Sequence, residues 1–207
     1  MAQFRRIETE ADLAEGVAAL RAAEPRFAVA PDPPLRRNPG GFGGLLRIVT
    51  GQQVSVASAD ATWARLVAAG ADSAEGVRRL DDAALRACGL SAQKARYARA
   101  LAAADLDFAA LAEAPQDEAV ARLTAVTGVG RWTAEIYLMF CVGRADVFAP
   151  GDLALQEGAR LLFALPERPA PAPLAAMAEA WAPWRAVAAR LLWAHYGAAK
   201  RREGVIG

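Results

Sequence analysis

The chain has 207 residues, 55% of them hydrophobic and 23% charged, with a formal net charge of +1. That length suits one large domain or two small ones with ample core, and the composition excludes disorder, which goes with few apolar residues and strong charge. The near-neutral balance excludes a strongly basic nucleic-acid wrap while leaving a locally basic face open, and no apolar run approaches the roughly 20 residues that span a bilayer.

The N-terminus, Met1-Ala2-Gln3-Phe4-Arg5-Arg6, runs into acidic residues without a hydrophobic signal core, so export is not expected and a cytoplasmic protein is. Alanine, leucine and arginine dominate and strand formers are sparse, which favours helix in most windows. Residues 8–24 read as a helix with Leu13, Val17 and Leu20 at helical spacing. Residues 25–44 are a Pro/Gly-rich connection carrying Pro31, Pro33, Pro34 and Pro39, the best candidate for a subdomain junction, with a weak strand at 27–30. An apolar helix is expected over 42–58 and another over 59–69, ending at Gly70. Short helices follow over 73–80 and 82–87, then a clear one over 91–104 with Ser91 as its N-cap. Residues 108–112, 116–126 and 131–141 continue the pattern. A loop over 143–151, a helix over 152–165 and a proline-rich link over 166–173 come next. Helices over 174–181 and 183–196 finish the chain, with Pro183 at a helix start and Lys200-Arg201-Arg202 as a loose basic tail. No βαβ alternation appears, so the class is all-α.

The stretch Leu85 to Arg96 echoes Leu123 to Ala134, each reading as helix, glycine-containing turn, helix. Two imperfect copies do not make a solenoid. Cys88 and Cys141 are the only thiols and His195 the only histidine, so an iron–sulfur cluster is excluded and a zinc site disfavoured. Chemistry must come from carboxylates, aromatics and backbone groups.

The informative stretch is Leu123 to Leu155. Thr127-Gly128-Val129-Gly130 joins two amphipathic helices through a turn with glycines at alternate positions, and Val129 is placed to pack inward between them. Glycine permits positive φ and leaves the backbone uncovered. The second helix then offers outward N–H groups to an anion, and a DNA phosphate fits there without any reading of sequence. An ordinary helix–helix turn explains the same glycines. Further on, Phe148-Ala149-Pro150-Gly151-Asp152 sets an aspartate at a helix start. An N-cap role accounts for it by itself, and a capping carboxylate can also face a binding site.

In combination, helix, Thr-Gly-Val-Gly, Arg-Trp-Thr-Ala helix and Val-Phe-Ala-Pro-Gly-Asp resemble the helix-hairpin-helix DNA glycosylase superfamily. Three further segments, 48–57, 181–185 and 193–196, resemble its 3-methyladenine DNA glycosylase II branch, and the likeness spans roughly residues 40–200. The resemblance implies a monofunctional glycosylase that flips alkylated purines out of duplex DNA and hydrolyses the N-glycosidic bond, with Asp152 as catalytic carboxylate. It places Trp132, Trp193, Tyr137 and Ile136 at the base pocket, Ile136 falling where many relatives carry a tyrosine. Trp63, Trp181 and Trp184 are assigned to the core. It assigns DNA binding to Thr127, Gly128, Val129, Gly130 and Arg131, and to Gln52 and Gln53, of which Gln53 is preferred as the side chain that fills the gap left by a flipped nucleotide. Arg47, Lys94 and Arg96 could also touch phosphates or simply be solvated.

Bifunctional relatives carry a Schiff-base lysine where this chain has Trp132, so hydrolysis by water is expected. The resemblance further implies two helical lobes around a cleft, 42–145 carrying the hairpin and 1–41 plus 146–207 forming the other. Only about 40 residues precede Phe42, so most of the N-terminal β-rich domain of larger members is expected to be lacking. The expected partner is double-stranded DNA with alkylated bases, bound by a monomer with no membrane association, associated with the nucleoid in a bacterium. No metal or cofactor is implied, with room for a monovalent cation at the hairpin–phosphate contact. The alternatives are a non-catalytic hairpin DNA-binding protein and a glycosylase/lyase using another lysine such as Lys94.

Overall fold

Short polar side chains start most of the helices. Thr9, Ser55, Ser73, Asp81, Ser91, Asp107 and Asp152 each accept a hydrogen bond from the amide three residues on, which satisfies one of the N–H groups that a helix leaves without an internal partner. The computed structural model describes residues 4–204, and side chains as far as Arg201. Met1 to Gln3, where the N-terminal reading begins, lie outside it.

The helices in chain order are α1 (Glu10–Ala23), α2 (Gly41–Gly51), α3 (Val56–Ala68), α4 (Ala74–Arg79), α5 (Asp82–Ala87) and α6 (Ala92–Ala103). They continue with α7 (Phe108–Glu113), α8 (Gln116–Thr124), α9 (Arg131–Tyr137), α10 (Leu153–Leu162), α11 (Pro171–Ala178) and α12 (Arg185–Gly204). Among the described residues the class is all-α, with no strand beyond one antiparallel bridge between Arg6 and Arg144. None of these helices is long and apolar enough to cross a membrane.

The weak strand expected at 27–30 is instead a 3-10 turn, Pro25–Val29. Glu24 accepts from the Arg26 amide and Pro25 fixes φ. Phe27 is drawn inward, fully buried with its ring edge-on to Phe163 and Trp181 at 5.7 and 5.5 Å. Burying such a side chain is worth about 1.5–3 kcal/mol, more than local strand preference offers. The apolar run over 42–58 is likewise not one helix. It stops at Gly51, and Ser55 restarts the chain as α3. After α9 the backbone widens into a π turn, Leu138–Val142, closed by Gly143. Pro171 opens α11 inside the expected link, and Pro183 follows a cis peptide bond two residues before α12. The basic tail is not loose but continues α12.

The chain divides into two compact units, one formed by Asn38–Val142 and the other by the flanking segments, up to Arg37 and from Gly143 onward. In the central unit α2 packs on α3, α6 and α9. Leu45, Leu46, Leu66, Leu85, Leu123 and Leu138 are completely buried there. In the flanking unit α10 and α1 pack on α12, and Phe27, Phe148, Phe163 and Trp181 form an aromatic cluster. Trp181 and Trp184 are buried, whereas Trp63 is only half-buried. Cys88 and Cys141 are free thiols, both buried.

Candidate functional site

In the central unit α8 and α9 are joined by the turn Thr127 to Gly130. Gly128 has φ +93°, and a Cβ there would fall inside the Tyr97 ring, so both conformation and packing demand glycine. Val129 is 4% exposed, tucked under the turn as its sequence position suggested. Gly130 is different. It has an ordinary extended conformation, and a Cβ on it would meet nothing within 4 Å. It caps α9 without any side-chain hydrogen bond, so the amides of the first turn stay uncovered.

The break after α2 faces the same turn. The Gln52 side-chain Nε2 donates to Gly128 O at 3.2 Å and to Thr133 Oγ1 at 2.9 Å. Gln53 is exposed and held at φ +57°, a left-handed conformation uncommon outside glycine. Thus the two glutamines separate: Gln52 is committed to the hairpin and Gln53 projects. Lys94 Nζ donates to Thr50 O at 2.7 Å and Gln52 O at 2.6 Å, and its partial burial lowers its pKa. The 51–53 segment, Tyr97, the hairpin turn and Trp132 line a recess of about 580 Å3.

Trp132, the first aromatic assigned to the pocket, is 37% exposed at this recess. Tyr137 and Ile136 are not accessible. Tyr137 is 1% exposed, accepts from the Gly41 amide at 3.0 Å and lies against Phe108, and burial pushes its hydroxyl up to about 12. Ile136 is 8% exposed. Packing accounts for both, because motif position marks the chain segment and not the helix face. Arg131, largely exposed, pairs with Glu135 Oε1 at 2.9 Å. Glu135 is buried, and desolvation raises its pKa against the opposing pull of Arg131. Sequence reading missed Glu135 and Tyr97, although the Arg131–Glu135 spacing of four was a signal for the first.

In the flanking unit Asp152 caps α10. Its Oδ1 accepts from the Leu155 amide at 2.9 Å and from Trp193 Nε1 at 3.1 Å, while its own amide donates to Ala149 O at 3.0 Å. Gln156 Nε2 steadies the preceding turn through Pro150 O at 2.8 Å. The carboxylate is half-buried, and Leu153 beside it is exposed. Trp193, also half-buried, therefore holds the aspartate by its indole N–H, a contact across 41 residues that the sequence does not announce.

The profile of the HhH-GPD superfamily of base excision DNA repair proteins matches residues 46–186. DNA-3-methyladenine glycosylase 1 of Schizosaccharomyces pombe is 34% identical over 158 residues, 72% of this chain and 69% of that protein. The crystal structure of a Bacillus halodurans DNA-3-methyladenine glycosidase superposes with a TM-score of 0.79 at 31% identity, covering 95% of this chain and 94% of the other. A Schizosaccharomyces pombe 3-methyladenine DNA glycosylase in complex with abasic DNA superposes with a TM-score of 0.72 at 29% identity, covering 87% and 94%. The open hairpin and the capping aspartate thus stand in a chain that belongs to the HhH-GPD superfamily of base excision DNA repair proteins.

Proposed function

We propose that the chain is a monofunctional DNA glycosylase that removes alkylated purines, of the 3-methyladenine kind, from duplex DNA as a monomer. The observation that carries this reading is the Asp152 carboxylate, fixed by the Leu155 amide and the Trp193 indole at the mouth of α10. Its context supports the choice of base, since the chain resembles glycosylases of that name over most of its length.

Cleavage of the bond between sugar C1′ and an alkylated purine passes through an oxocarbenium-like sugar. Asp152 opposes the positive charge that develops there. At about 4 Å and an effective dielectric near 20 such a pairing is worth roughly 4 kcal/mol, or ~10³ in rate. The alkylated base is already cationic and leaves as a neutral molecule, so no strong general acid is needed. Water attacks C1′, and its proton passes to the carboxylate and then to solvent. Trp193 keeps Oδ1 oriented through these steps.

Flipping the nucleotide costs a few kcal/mol. A cationic base over the exposed indole of Trp132 regains ~0.5–2 kcal/mol, and Gln53 fills the vacated stack. Backbone phosphate is received by the uncovered amides after Gly130. A monovalent cation bridging the turn to a phosphate would use main-chain carbonyls, because no acidic or thiol side chain lines the recess there. Neutral oxygens suit an alkali ion better than a transition metal.

The test is release of methylated bases from alkylated DNA. The wild type is expected to release them and Asp152→Asn to be slower by about 10³, the value of one such charge pair. Comparable release by both chains would remove Asp152 from the reaction.

A further inference from the structure

A helix leaves its last carbonyls without internal partners, and α2 meets this need from another element. Lys94 stands in the first turn of α6, its own amide bonded to Ser91 Oγ at 3.2 Å. Its ammonium reaches across to Thr50 O and Gln52 O, at 2.7 and 2.6 Å. Two of its three donors therefore serve the last turn of α2 and the residue after it. On the other side of the same peptide, the Gln52 side chain is bound to Gly128 O and Thr133 Oγ1. Gln53 follows immediately, exposed and at φ +57°. A residue other than glycine stays in that region only where its surroundings over-determine it. Here the over-determination comes from Lys94 behind and Gln52 beside.

We propose that Lys94 is a positioning residue for strand opening. Its ammonium pins the Thr50 and Gln52 carbonyls so that Gln53 is presented in its left-handed conformation, and it does not itself contact the DNA. This rests on the glycosylase reading above and assigns the lysine a task distinct from phosphate binding and from Schiff-base chemistry. The lowered pKa agrees with an ammonium partly removed from water.

Three variants test it: Lys94→Met, Gln53→Ala and the pair together. Single-turnover base release is measured with the lesion in duplex DNA and with the same lesion opposite an abasic gap, where no base pair has to be broken. Lys94→Met is expected to slow release from duplex by about tenfold, the order of one lost hydrogen-bonded contact, and to change release from the gapped substrate by less than about threefold. In the Gln53→Ala background the same change is expected to cost nothing further, because both act through one side chain. The salt dependence of binding to undamaged duplex is expected to be unchanged.

Additive effects in the double variant, equal losses on both substrates, or a salt slope reduced by about one charge would each overturn the proposal. Should Lys94→Met fail to fold, Lys94→Gln, a shorter and uncharged side chain, is put through the same comparison with the same outcomes decisive, and release unchanged on both substrates likewise overturns the proposal. A wild-type chain that releases no base would end the glycosylase reading itself, whereas an active wild type with additive variants ends only the role of Lys94.

Discussion

Two helix–turn–helix hairpins lie in the central unit, α5–α6 and α8–α9, and they share a backbone plan. Each turn has a glycine at strongly positive φ, Gly89 at +102° and Gly128 at +93°. Each follows it with a buried apolar residue, Leu90 or Val129, both 4% exposed. They part at the next residue. Ser91 closes α6 by bonding the Lys94 amide, and Arg65 Nε takes the Cys88 carbonyl at 2.8 Å. Gly130 leaves α9 without a side-chain cap. The first turn is thus capped by Ser91 and braced by Arg65 from α3, and the second has no side-chain cap. One side chain, and not the backbone fold, separates a capped turn from an uncapped one.

The largest effect on this comparison is expected from adding a methyl group to each left-handed glycine. At Gly128 a Cβ would collide with the Tyr97 ring, a rigid body, on top of the backbone strain. Gly128→Ala should cost about 3 kcal/mol or more, lowering Tm by roughly 6–12 °C. At Gly89 the nearest atom is the far end of Arg65, which can move. Gly89→Ala should therefore cost about 1–2 kcal/mol, the backbone strain alone. Equal melting temperatures for the two variants would show that Tyr97 does not set the difference. Next in size is the exchange of caps. Gly130→Ser should leave stability within about 0.5 kcal/mol of wild type, since serine gains only a few tenths over glycine as a cap. If the hairpin receives phosphate as proposed, binding to undamaged duplex should weaken severalfold, because the hydroxyl then occupies one of the first-turn amides. Ser91→Ala should do the opposite, losing about 0.5–2 kcal/mol of stability while leaving duplex affinity unchanged. Calorimetry with fluorescence anisotropy at fixed salt measures both.

Several capped helix starts were legible because the signal is local: a short polar residue stands just before an apolar periodic run, as at Ser73, Ser91 and Asp152. The break after Gly51 was not, since the apolar run continues and Gln52-Gln53 carries no breaker. What stops α2 there is held by Lys94 and Gly128, both remote in sequence. The 3-10 turn at Pro25–Val29 was hidden for the same reason, its Phe27 being claimed by Phe163 and Trp181. Asp152 as the cap of α10 and the glycines of the α8–α9 turn could be read from motif and spacing. The bond from Trp193 to Asp152 could not, nor could the burial of Tyr137, because both depend on which way a helix face turns.

The smallest effect distinguishes the two hairpins by charge. Behind the open turn α9 carries Glu135, a buried carboxylate whose pKa is raised by desolvation, with Arg131 pulling the other way. A carboxyl with a folded pKa above its unfolded one binds its proton more tightly in the native state. Its contribution to stability is then fully present below the unfolded pKa and is lost as pH rises through the folded one. Glu135→Gln keeps an acceptor for Arg131 and removes the buried charge. Since the Arg131 side chain is largely exposed, the ion pair it forfeits is worth little. The variant should melt slightly higher than wild type at pH 7, with the difference shrinking toward pH 4, where the wild-type carboxyl is itself neutral. Melting curves across that range decide the matter: a gap that widens on acidification would mean that the ionised Glu135, through Arg131, holds α9 together and that its burial is not the dominant force on its proton.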